Sequence, residues 1–171
     1  MKKLLSKIKY ARGFTLIELL VVIAVIGILA AVVLASLNDA RVKARDAKRL
    51  GDLRSIHTAL EAYFADNGSY PQTTWTSSYQ STWQTGVLGT ALAPYLPTLP
   101  VDPTNSSPIA PNGGINYSYY ALSYGGTTTT QQWYMLVARP EKAQPLRQVR
   151  ACDGTIFAYT GTIMIGGSCA Q

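Results

Sequence analysis

The chain has 171 residues, enough for one domain, and its 47% of hydrophobic residues is unevenly spread. Its formal charge of +6 comes mostly from Lys2, Lys3, Lys7, Lys9 and Arg12, with no acid among them; beyond these stand ten basic against nine acidic side chains. The excess belongs to the N-terminal tail rather than to a surface patch, which argues against a nucleic-acid partner.

Residues 1–13 read as the n-region of an export signal, short, basic and free of acids. The apolar run that follows is longer than a secretory h-region, and Ala30 and Ala31, which could suit a cleavage site, lie inside it. A helix over residues 14–37 would be roughly 36 Å long at about 1.5 Å per residue, enough to span the hydrocarbon core. Positive charge ahead of it holds the N-terminus on the cytoplasmic side and places the rest outside. One carboxylate, Glu18, sits near the start of this run. An ionised carboxylate in lipid is costly, and the positive end of the helix dipole offsets only part of that cost. Glu18 therefore calls for a cationic partner.

No helix stop follows the run. Ala40, Ala44, Ala47, Leu50, Leu53, His57, Leu60 and Phe64 are spaced by three and four, an apolar stripe along one continuous helix. Asp66-Asn67-Gly68, with Pro71 beyond, supplies the first firm stop. The reading is one helix over 14–66, lipid-embedded over 14–37 and amphipathic over 38–66. Because a water-exposed helix is marginal alone, its stripe needs a packing partner. His57 lies on that stripe and reads as a packing residue. Arg41, Lys43, Arg45, Lys48, Arg49 and Arg54, interspersed with Asp39, Asp46 and Asp52, read as a solvated polar face near the membrane.

Residues 67–116 are rich in Ser, Thr, Pro, Gly and aromatics and read as a long loop with a short helix or turn near 87–96. Strands are expected at 116–124, 132–139, 155–159 and 162–165, with a turn beginning at 125–128 and Gly161 between the last two strands. They form a small antiparallel meander whose apolar face the amphipathic half of the helix can cover. The fold class is α+β, with residues 67–171 a loop-rich β head. Cys152 and Cys169 lie beyond the membrane segment, where a disulfide is permitted. Closing that loop would contribute about 3 kcal/mol in the chain-entropy model. Two cysteines without a nearby histidine fall short of a zinc site, and only Glu141 and Asp153 follow Asp102, too few for a calcium cluster. No cofactor motif is present, and one histidine with no nucleophile motif or paired head carboxylates names no enzyme.

The segment Gly13-Phe14-Thr15-Leu16-Ile17-Glu18, with its basic leader and apolar run, resembles the N-terminal signal of type IV pilins and type II secretion pseudopilins. Asp66-Asn67-Gly68-Ser69-Tyr70-Pro71 and Leu99-Pro100-Val101-Asp102-Pro103-Thr104 resemble segments of the pseudopilin branch. The resemblance implies cleavage by a prepilin peptidase between Gly13 and Phe14 and N-methylation of the new Phe14 amine. It also implies a neighbouring subunit's amine as the partner of Glu18. The other implied partners are copies of the chain and related pilins in a helical filament, membrane lipid before assembly, an inner-membrane platform protein and an assembly ATPase. Many such proteins carry a proline about two-thirds along the apolar run; Ala35 lies near that place here, leaving Gly27 as the weakest helix former. The competing reading is a membrane-anchored binding module, or minor tip pilin, in which Trp75, Trp83 and nearby tyrosines contact glycans, surfaces or DNA.

Overall fold

The computed structural model describes residues 13–121, 133–142, 148–150 and 155–166. The chain separates into two compact units, divided between Ala40 and Arg41. The helix α1 (Leu16–Asn67) is continuous across that division, as the unbroken periodicity predicts. It ends at Gly68, whose φ of +68° suits glycine and whose N–H donates to the Phe64 carbonyl at 2.8 Å.

In the first unit the large apolar side chains from Phe14 to Leu37 are 42 to 89% exposed among the described residues. The helix is long and apolar enough there to cross a membrane.

In the second unit a four-stranded antiparallel sheet runs in the order β1 (Thr73–Ser77), β2 (Tyr117–Ala121), β3 (Met135–Ala138), β6 (Ile163–Gly166). The period-2 alternation of strands sorts its side chains cleanly. Tyr117, Tyr119, Ala121, Leu136, Ala138 and Ile163 face Leu53, Ile56, Ala59 and Leu60 of α1. Met135, Val137 and Met164 face the other way, into a second cluster with Trp133, Val149 and Ala110. That far face is covered by a small hairpin, β4 (Gln148–Arg150) with β5 (Ile156–Ala158), and by a 3-10 turn at Ala110–Asn112. Two short helices, α2 (Thr82–Thr85) and α3 (Val87–Leu92), bring Trp83, Leu88 and Leu92 into the core beside α1.

Three readings of the helix stripe and the strands are corrected. The stripe on α1 is right from Leu50 onward but wrong before it: Ala40, Ala44 and Ala47 are exposed, whereas Ile56 and Ala59 are buried. Among the described residues, the core contributed by α1 begins at Leu50 and Leu53, beyond these alanines. The meander is interrupted, because the strand at Ile156–Ala158 pairs with β4 and the strand at Ile163–Gly166 pairs with β3. Third, the segment read as a loop contains β1, an edge strand of sequence ThrThrTrpThrSer whose polar composition hides it. The turn expected from 125 lies outside the described residues.

Candidate functional site

Gly13 and Phe14 precede α1, which begins at Leu16 rather than at Phe14. A side chain added at Gly13 would meet nothing within 4 Å, and Phe14 is 89% exposed. The Gly13–Phe14 bond thus lies outside α1. Thr15 and Glu18 build a reciprocal N-terminal cap: the Thr15 amide and hydroxyl donate to Glu18 Oε2 at 2.8 and 2.7 Å, and the Glu18 amide donates back to the Thr15 hydroxyl at 3.3 Å. The Thr-x-x-Glu spacing carries this signal. Glu18 is therefore hydrogen-bonded inside its own chain, not orphaned. Cys152 and Cys169 lie outside the described residues.

A second polar site ties α1 to the sheet unit. Arg49, read from the sequence as part of a solvated face, is fully buried. Its guanidinium bonds Asp102 through Nε at 2.7 Å and Nη2 at 3.0 Å, Asp46 at 2.7 Å, Glu141 at 3.0 Å and the Thr104 hydroxyl at 3.0 Å. Asp102 also accepts the Thr104 and Asn105 amides at 2.8 and 3.3 Å, so the Leu99–Thr104 loop is folded as a receptor for this arginine. Asp46 accepts the backbone amides of Glu141 and Lys142 at 2.9 and 3.1 Å. Burial alone would favour the neutral form of Arg49, but its hydrogen bonds to Asp102 and Asp46 outweigh that and raise its pKa. The available sequence signal was the Asp46/Arg49 pair, one turn apart, matched to a lone acid in the Asp-Pro-Thr loop.

Glu141 is held down to a pKa of about 2, first by its hydrogen bonds from Arg45 at 2.6 and 2.5 Å and, against the opposing effect of burial, by Arg49. A carboxylate lowered on folding stabilises the fold above its unfolded pKa, near 4.5. We expect its contribution to be fully present at neutral pH and to fade as pH falls from about 4.5 toward 2. Chemical denaturation midpoints of wild type and Glu141→Gln should converge across that window; parallel curves would show that Glu141 does not titrate as described.

The aromatic residues of the competing binding reading are engaged within the fold. Trp83 is buried and donates its indole N–H to the Pro100 carbonyl at 2.9 Å. Trp75 packs on Tyr120 and Tyr159, with centroids 5.1 and 6.3 Å apart.

A long apolar helix opened by this capped segment, with an antiparallel sheet packed on its second half, is the architecture of pilin-like proteins. Residues 8–34 match the family model for the prokaryotic N-terminal methylation motif. The type II secretion system core protein G of Escherichia coli (strain K12) is 34% identical over 119 residues, which covers 67% of this chain and 81% of that protein. The chain belongs to the type II secretion system core protein G family. The proteins of the same name from Pectobacterium carotovorum subsp. carotovorum and Klebsiella pneumoniae are each 44% identical over 62 residues, 36% of this chain and 40 and 44% of theirs. No solved structure matches the chain.

Proposed function

We propose that the chain is a structural subunit of a type II secretion pseudopilus. Residues 1–13 are its cytoplasmic leader, 14–37 its membrane and filament-core helix, 38–66 the amphipathic continuation and 67–171 the head. A prepilin peptidase cuts between Gly13 and Phe14 and the Phe14 amine is methylated. The subunit waits in the cytoplasmic membrane with its N-terminus inside and its head outside. A platform protein and an assembly ATPase then feed it into a helical filament with copies of itself and related pilins. The apolar side chains of α1 leave lipid for one another, and Glu18 takes a neighbouring subunit's Phe14 amine. The cysteines, outside the reducing compartment, pair as Cys152–Cys169.

The observation that carries this reading is the match to the Escherichia coli protein over 119 residues, far beyond the methylation motif at 8–34. Intact mass and N-terminal sequencing of the protein from native membranes test it. The expected N-terminus is methylated Phe14; an intact leader in the functional pool would overturn the processing step. Gly13→Leu should accumulate as uncut, membrane-retained precursor, because a side chain there obstructs close approach of the backbone to a protease. Normal cleavage of Gly13→Leu, read by gel mobility and mass, would move the processing site elsewhere.

A further inference from the structure

We propose that Asn112 is a site of spontaneous covalent modification, where the Gly113 amide closes on the asparagine side chain and converts it to aspartate and isoaspartate. The sequence holds two Asn-Gly pairs, Asn67-Gly68 and Asn112-Gly113. Glycine permits such a ring closure because no Cβ shields its nitrogen. The fold treats the two pairs differently.

Both asparagines are exposed, so access to water does not separate them. Asn67 ends α1, and its Nδ2 donates to the Tyr63 carbonyl at 2.9 Å. The Gly68 nitrogen is also held, donating to the Phe64 carbonyl at 2.8 Å. Closure at Asn67 must therefore break both bonds and unwind the end of a long helix. Asn112 instead ends the 3-10 turn Ala110–Asn112, and its side chain has no hydrogen-bond partner among the described residues. The Gly113 amide donates to the Ala110 carbonyl at 3.2 Å, a longer bond in a turn type of poorer hydrogen-bond geometry. Gly113 stands at φ +107°, and a Cβ built there would meet nothing within 4 Å, so the carboxamide has open space beside it. The base of the loop is firm. Asn116 Nδ2 donates to the Ser106 and Pro108 carbonyls at 2.6 Å each, and Asn116 Oδ1 accepts the Ala110 amide at 3.1 Å. Opening at the tip is thus local and leaves the core closed.

The reaction balances with water as its co-reactant. The Gly113 nitrogen gives its proton to solvent base and forms a bond to Asn112 Cγ. The Cγ–Nδ2 bond breaks, and ammonia leaves with a proton from water, which gives a cyclic imide. Water then opens the imide at either carbonyl. One cleavage yields aspartate, and the other yields isoaspartate, whose backbone runs through Cβ and Cγ. Either product turns a neutral tip anionic, next to the Ala110 carbonyl that Arg139 holds through Nε and Nη2 at 3.3 and 3.2 Å.

The test is incubation of the full detergent-solubilised chain in mildly alkaline buffer, where base speeds the first step. Chymotryptic peptides are followed for the gain in mass of an NH2-to-OH exchange, and isoaspartate is identified by fragmentation. In the folded chain Asn112 is expected to convert about tenfold or more faster than Asn67. In urea, which removes both turn and helix, the two pairs should convert at similar rates. Asn112→Gln, which needs a larger ring, should abolish the fast conversion, with circular dichroism confirming that the variant is folded. Equal rates in the folded chain, a faster Asn67, or conversion only in urea would overturn the proposal. So would a preference for Asn112 that persists in urea, because it would assign the effect to local sequence rather than to the turn.

Discussion

Replacing Arg49 by Met should destabilise the folded unit by about 3–5 kcal/mol, the usual cost of removing one partner from a buried ion pair. The substitution keeps most of the aliphatic volume, so the loss isolates the charge. Asp102 is left fully buried with, among the described residues, the Thr104 and Asn105 amides as donors, and Asp46 keeps the Glu141 and Lys142 amides. Glu141 still has Arg45 and is less affected. Urea denaturation followed by tryptophan fluorescence measures this directly, since Trp83 reports on the core into which the Leu99–Thr104 loop closes. Adding Asp102→Asn to Arg49→Met should recover part of the stability, because the second change removes the stranded charge. A loss under about 1 kcal/mol for Arg49→Met would mean that the network is solvated and incidental.

Glu18→Val should be cut and methylated normally yet fail to enter filaments. The structure sharpens this expectation, because Glu18 does two things that can be separated. It caps α1 through Thr15, and it offers a charge to the Phe14 amine proposed as its partner. Glutamine can replace glutamate in a capping box but carries no charge. Glu18→Gln should therefore keep the helix start and still abolish incorporation, as read by cross-linking and shear fractionation. Wild-type assembly of Glu18→Gln would show that capping is what matters at this position. The same geometry alters the energetic picture of assembly. In the proposed assembly a neighbouring amine would compete with the two hydrogen bonds that Glu18 Oε2 already accepts, and its charge would give it the advantage.

Much of this was legible in the sequence because the signals were local. The apolar run, the stop at Asp66-Asn67-Gly68 and the strand pattern around Tyr117–Ala121 and Met135–Ala138 each depend on residues close together in the chain. What escaped depended on distant partners. Arg49 looks like any charge on a polar helix face until Asp102 and Glu141, 53 and 92 residues away, close around it. β1 is strand because β2 offers it a free edge, not because ThrThrTrpThrSer shows an alternating pattern. The hairpin of β4 and β5 could not be told from a continued meander, since short runs of similar composition do not name their pairing partners. The cap at Thr15 and Glu18 is local and is legible in the Thr-x-x-Glu spacing.

The outer strand β1 has a further consequence for a protein that works at high local concentration. A flat, regular sheet margin is a template on which another chain can add a strand, and packing many copies side by side raises that hazard. β1 is only five residues long, its sequence is mostly threonine and serine, and its register with β2 shifts between Thr73 and Thr76. Such a break spoils the even ladder of donors and acceptors that a stray strand would need. In the proposed filament, this guards the β1 margin of each crowded subunit against fusing with a neighbour's sheet.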